Sequence, residues 1–408
     1  MARPLLLRGG QLWDGQNPQV QDVDVLVEAG QIAGVGAVPS DRDAAVLDLE
    51  GRYLLPGLID MHVHLVWSGS PDPAAVVERE GEQLTTVRAV ANAQAQVRAG
   101  VTTVRDLGGN ADIAVSVARA VDDGLIHGPR IVAAGQTIIM TGGHDPFWGL
   151  PSDGVDAVIR SVRRQVSIGA RVIKLAATGG VYGRSEGEDV GQTELTLDEL
   201  TAAVKEAHRF GLKVAAHALG ADGIRNAVLA GVDTVEHGNF LTEEIVDLMR
   251  RNGTALCPTL AIYRTIAAGS GSGVPSYAVD KAQRAVAAHV ESFVMARDAG
   301  LPIVAGTDAG SCATPHPALV GELAVMRELG MNPDEALQAA TSTAADVLGR
   351  AGGAGRVAPG LPADLLVVDA DPREDVHVLL NPSLVLQAGK VSGREGQSAC
   401  QHPAAAST

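Results

Sequence analysis

The sequence of 408 residues carries a formal charge of −16, with 46% hydrophobic, 20% charged and only 3% aromatic residues. This is globular composition, so a mainly disordered chain is excluded, and the acidic balance excludes nucleic acid or anionic lipid as a main partner, because phosphate binding needs clustered Lys and Arg. The length suits one large domain plus something smaller, with an aliphatic core.

In chain order, Met1 to Arg8 holds only a short apolar run between arginines, too short for a signal-peptide core, and no run long enough to span a bilayer follows. The cytoplasm is the default location. Residues 3 to 50 carry short β-type runs broken by turns, such as Asp22 to Glu28, Gly30 to Gly36 and Ala45 to Gly51. Gly360 to Arg373 and Leu384 to Val391 look β-like as well, and neither end forms a good sheet alone. The economical solution is one small β-sandwich domain assembled from residues 1–56 and 351–395. Residues 396–408 are small and polar, and disorder is expected there. Cys257, Cys312 and Cys400 lack metal-type spacing and cannot all pair, so no disulfide framework is expected.

Between the ends, residues 57–350 repeat one phrase: a helical stretch, a glycine, then a short apolar run ending on a chemically active residue. It occurs at Gly100 to Asp106, Gly169 to Lys174, Gly211 to His217, Gly231 to His237 and Gly300 to Asp308, and without a titratable end at Gly253 to Thr259. Glycine ends helices because it enters the left-handed cap without penalty. The stretches Asp198 to Phe210 and Glu243 to Asn252 show helical spacing with acidic starts and basic ends, as the helix dipole prefers. With Leu58 to His64 and Arg130 to Ala134 the candidate strands number eight. Strands alternating with helices predict a parallel sheet, and eight such units predict a (β/α)8 TIM barrel, whose active site lies at the C-terminal strand ends. A doubly wound open sheet is the alternative, but it gives no reason for reactive residues at so many strand ends.

His62 and His64 follow the first strand two positions apart, so both imidazoles can face one metal. Lys174 ends a buried apolar strand, where burial favours the neutral amine; that amine can add carbon dioxide to form a carbamate able to bridge two metals. A salt-bridged or snorkelling lysine is the plainer reading of the same residue. His217 and His237 stand one helix-and-strand unit apart and invite a shared ion, though either alone suits a core histidine. Asp308 can cap the following helix or, beside a metal, ligate it and handle a proton.

As a set, these residues resemble the amidohydrolase superfamily: H-x-H after strand one, Lys after strand four, His after strands five and six, Asp after strand eight. The resemblance spans roughly residues 3 to 395. It implies that His62, His64 and Asp308 hold the more buried of two metals and His217 and His237 the other, with N6-carboxylated Lys174 and a hydroxide bridging them. It further implies that Asp308 shuttles the proton to the departing amine, and family habit implies a homo-oligomer. Zinc suits the mixed ligands best, with manganese or cobalt as alternatives.

Within the superfamily, deaminases carry a Glu three positions after the strand-five His, where this chain has Gly220. The phrases Thr141 to Asp145, Lys174 to Gly180 and Gly306 to Gly310 look closest to the prolidase-like branch, which includes Xaa-Pro dipeptidases and an ochratoxin-cleaving amidase. On that resemblance His144 and Tyr263 are expected to contact substrate, and Tyr182 and Arg184 are weaker candidates for meeting a substrate carboxylate. The expected reaction is hydrolysis of a dipeptide or N-acyl amino acid. The alternatives are a urea, carbamate or lactone substrate and, more remotely, a non-catalytic barrel scaffold.

Overall fold

The computed structural model describes residues 3–36, 43–269, 272–349 and 355–393. The expected tail and Cys400 lie outside them. The fold is mixed α/β. The central strands Leu58–Val63, Val101–Asp106 and Arg130–Ala133 pair in parallel, as do Val172–Ala176, Lys213–Ala218, Thr234–His237 and Ala255–Cys257. Their side chains are almost all buried, which is why the sequence shows near-continuous apolar runs rather than alternation.

The two parallel groups are joined by backbone hydrogen bonds. Arg171 N donates to Ala133 O at 2.9 Å on one side; on the other, Val304 N donates to Leu256 O and Met61 N to Ala305 O, both at 2.9 Å. The run Gly300 to Asp308, expected as a strand, makes only one isolated bridge, at Ile303, with another at the adjoining Ala309. Its backbone leaves the extended region, with Asp308 at φ 57°, and Ala305 N turns to Ala339 O. A small apolar cluster takes Met61, Val132, Val172, Ala215, Cys257 and Val304 from around these segments.

The helices between the strands carry their own start and stop signals. Helix Glu243–Asn252 has the expected bounds: the Thr242 hydroxyl accepts from Ile245 N, and Gly253 closes the helix at φ 69°. Helix Leu197–Arg209 begins with a capping box between Thr196 and Glu199.

Strands from both chain ends share one sheet. Leu5–Leu12, Gln21–Glu28, Gln31–Gly36, Ala45–Asp48 and Tyr53–Pro56 join Leu365–Val368, Leu384–Gln387 and Lys390–Gly393, with Leu365–Val368 antiparallel to Tyr53–Pro56. Leu7, Leu54, Val367 and Leu386 belong to its separate aliphatic core. Among the described residues no helix is long and apolar enough to cross a membrane.

Candidate metal centre

The central strands and the loops after them deliver His62, His64, Lys174, His217, His237 and Asp308 to one cavity with about 470 Å³ of empty space, and His144, Tyr182 and Tyr263 line it as well. Ring centroids lie 5.3 Å apart for His62 and His64, 5.1 Å for His62 and His237, and 4.8 Å for His217 and His237. The Asp308 carboxylate faces two of them, with Oδ1 3.1 Å from His64 Nε2 and 3.7 Å from His62 Nε2. His62, His237 and Asp308 bring ligand atoms within 4.8 Å of one another.

The imidazole edges show what this donor set can hold. His64 Nδ1 lies 2.7 Å from Gly108 O; a carbonyl only accepts, so Nδ1 carries a hydrogen, and against burial the Asp308 carboxylate beside Nε2 raises this imidazole, placing a proton where a cation would sit. His62 Nδ1 meets the Glu236 carboxylate at 3.0 Å, and His237 Nδ1 meets Thr259 Oγ1 at 2.7 Å. Metal-binding histidines commonly anchor one ring nitrogen in this way and present the other. His217 differs, since its Nε2 donates to Gly179 O at 3.2 Å and Nδ1 is left. Burial holds His62, His217 and His237 well below the usual imidazole range, so the neutral, ligating form prevails. Burial opposes the charge on Asp308 too, but its neighbours, including a hydrogen bond from His64, outweigh burial and hold the carboxyl below its usual range. The residues present fit a divalent cation.

Lys174 is 2% exposed, and its amine makes no hydrogen bond or ion pair among the described residues. Burial lowers its pKa against the pull of Glu236, Asp145 and Asp308. Glycines make the approach possible: a Cβ on Gly306 would strike the His62 backbone at 2.9 Å.

His144 stacks on His217 with centroids 3.9 Å apart and planes 18° from parallel. Its Nδ1 donates to Glu188 Oε1 at 2.7 Å, and its backbone N–H points at both Glu194 oxygens at 2.9 Å. Against burial, Asp145, Glu188 and Glu194 raise the imidazole to about 9. Glu188 is pulled down to about 2 because His144 and Lys281 overcome its own burial. Tyr263 lies on helix Leu260–Ala267, 5.6 Å from the His237 ring. Burial holds its hydroxyl protonated.

Tyr182 lines the cavity with its hydroxyl donated to Asp72 at 2.6 Å. Arg184 reaches Gly142 O at 2.6 Å and lines an adjoining outer cavity, away from the histidines. The sequence reading missed a buried support behind the site. Arg105 donates to Met61 O at 2.6 Å, Thr234 Oγ1 at 2.9 Å and Glu236 Oε1 at 2.8 Å, and Glu236 in turn holds His62. The available signal was an arginine inside the apolar run of residues 101–106.

This geometry has close relatives. The sequence matches the amidohydrolase family over residues 53–394, and the chain belongs to that family. Ochratoxinase of Aspergillus niger is 29% identical over 425 residues, covering 95% of this chain and 86% of the relative. A crystal structure of a Xaa-Pro dipeptidase with methionine bound in the active site is 33% identical with a TM-score of 0.88, covering 95% of this chain and 99% of that one. A prolidase complexed with N-methylphosphonate-L-proline is 31% identical with the same TM-score of 0.88, covering 96% and 100%. The protein is thus a hydrolase of the amidohydrolase family, in which bound metal is usual.

Proposed function

We propose that the protein hydrolyses an amide bond between an acyl group and a carboxylate-bearing amine, a Xaa-Pro or other dipeptide or an N-acyl amino acid. The convergence of four histidines, Lys174 and Asp308 on one cavity carries the reading. In it, residues 57–350 close as a (β/α)8 barrel, supported by the hydrogen bonds across Leu256, Val304 and Met61, with residues 1–56 and 351–395 as a β-sandwich domain beside it. His62, His64 and Asp308 would hold one divalent ion, His217 and His237 a second, with carboxylated Lys174 between; zinc suits these ligands best. Such ions polarise a carbonyl and acidify a water.

The chain's own groups supply the rest. The water oxygen adds to the amide carbon while its proton passes to the Asp308 carboxylate; Asp308 returns that proton to the amine nitrogen as the C–N bond breaks. His144, charged and fixed by Glu188, and Tyr263, a protonated donor, bind the oxygens of the carbonyl or of the amine-side carboxylate. The test is a library of dipeptides and N-acyl amino acids offered to metal-reconstituted protein. Turnover within it is expected. Silence across it, with cleavage of ureas, carbamates or lactones, assigns the other substrate class, and silence towards everything together with failure to take up metal assigns the scaffold.

A further inference from the structure

Aromatic side chains are few in this chain and unevenly placed. The sequence holds four Phe, three Trp and four Tyr. More than half of them gather at the histidine cavity and the cavity outside it: Trp67 and Tyr263 line the inner one, Phe147 and Tyr277 the outer, Tyr182 both, and Trp148 lies 5.4 Å from the His64 ring. Trp67, Trp148, Tyr182 and Tyr263 are buried as part of the main core, while Phe147 and Tyr277 stay partly exposed at the outer cavity.

They form a continuous path. Trp67 lies 5.6 Å from His64, and its ring is 5.8 Å from Tyr182 and 6.4 Å from Phe147; Phe147 and Tyr182 are 6.1 Å apart. The path runs from a histidine beside the Asp308 carboxylate into an open outer cavity lined by Phe147, Tyr182 and Tyr277. Tyr182, at the junction, cannot swing freely, because its hydroxyl donates to Asp72 and accepts from Ala74 N at 3.2 Å.

The outer cavity also has a sign. Asp72, Glu78 and Glu186 line it against the single guanidinium of Arg184, which is already engaged by the Gly142 carbonyl. A negative field repels a carboxylate and tolerates a neutral or cationic group. Rigid aromatic faces select flat rings, through area and through edge and face contacts. The acidic lining keeps a carboxylate-bearing amine out of the outer cavity, so the other end of the amide points into it.

We propose that the outer cavity is the acyl-side subsite and takes an aromatic acyl portion without negative charge. An N-terminal aromatic amino acid with a free ammonium is the simplest member of that class. The inference rests on the amide-hydrolase reading above and names the substrate side that reading leaves open.

The experiment uses the metal-reconstituted protein and dipeptides sharing one leaving residue, with Phe, Trp, Ala or Glu at the N-terminus. Phe and Trp are expected to exceed Ala in kcat/KM by about tenfold or more, the scale of a filled apolar pocket, and Glu to fall below Ala. In Phe147→Ala the ratio of Phe to Ala substrates drops by about tenfold, and Phe147→Leu, which keeps the apolar bulk without the ring, lowers it in the same direction. Calorimetry with phenylalaninamide and alaninamide reads the subsite without turnover: tighter binding of the aromatic amide, lost in Phe147→Ala, is expected. Equal affinities, or substrate ratios that neither variant moves, overturn the subsite. Absence of any dipeptide cleavage alongside selective phenylalaninamide binding instead overturns the amide-hydrolase reading and leaves the subsite standing.

Discussion

The sheet from the two chain ends and the parallel strands between them draw on the same aliphatic residues but bury different company. Among the described residues, the terminal strands bury Leu7, Leu54, Leu366 and Leu386 and no Asp, Glu, Lys or Arg. The parallel strands bury Asp60, His62, Arg105, Asp106, Lys174 and Glu236 alongside Leu58, Val104 and Ile173. Burying an unpaired charge is costly, and burying a paired one gains little over a well-packed apolar group. The polar interior of the parallel strands is therefore poorly explained by stability. Burial has pushed Asp60 up to about 7 and Asp106 up to about 6, although both accept backbone N–H groups. Carboxyls displaced like these cluster where chemistry is done. The terminal sheet has a small, purely aliphatic core, whereas the parallel strands combine the larger core with reactive geometry.

That contrast can be broken in several ways. The largest effect is expected from chelation: removing divalent ions should abolish turnover, and zinc should restore it with about two equivalents bound per chain, read by elemental analysis. Next comes Lys174→Met, for which a loss of about a thousandfold or more in kcat/KM is expected, as for one member of a catalytic unit. Metal-free, the same variant should melt at an equal or higher temperature than the metal-free parent, because a buried amine without a hydrogen bond is replaced by an apolar chain of similar length. A fully active or strongly destabilised Lys174→Met would undo the comparison.

Leu386→Ala probes the other region. It should cost about 2–5 kcal/mol in denaturant unfolding while kcat of the folded fraction stays unchanged; a specific loss of kcat would show that the terminal sheet shapes the site. Glu188→Gln removes the anion that holds His144, and KM for carboxylate-bearing substrates should rise by about tenfold with a smaller change in kcat.

The smallest effect concerns Glu322, which accepts from Leu260 N and Ala261 N at 2.8 Å each while burial raises it to about 8. Its folded pKa lies above the unfolded value, so its contribution is complete below the unfolded pKa and declines as pH rises towards 8. Glu322→Gln cannot ionise. Its melting temperature relative to the parent should increase from pH 5 to pH 9, whereas Leu386→Ala should show no such trend.

Local signals were legible wherever neighbours in sequence decide the outcome. The acidic start, basic end and terminal glycine of residues 243–253 define a helix by themselves, and the helix has those bounds. The apolar run of residues 101–106 is a strand for a similar reason. Residues 300–308 read as a strand and are not one, because Asp308 takes a positive φ and the backbone divides its hydrogen bonds between Leu256, His62 and Ala339. Arg184 illustrates the opposite limit: its place beside the lysine loop suggested a substrate contact, but that its guanidinium donates to Gly142 O and lines the outer cavity is visible only in the fold.

By itself the sequence determined the chemistry available: histidines, a lysine and an aspartate at strand ends, the branch they resemble, and the helices and strands that carry them. Only the tertiary structure decided how those groups are held. His62 is oriented by Glu236 from 174 positions away, Glu236 by Arg105 from 131, and His144 by Glu188 from 44. Residue type and local periodicity are properties of neighbouring positions and can be read along the chain. Orientation, desolvation and charge state arise from partners that meet only when the strands assemble.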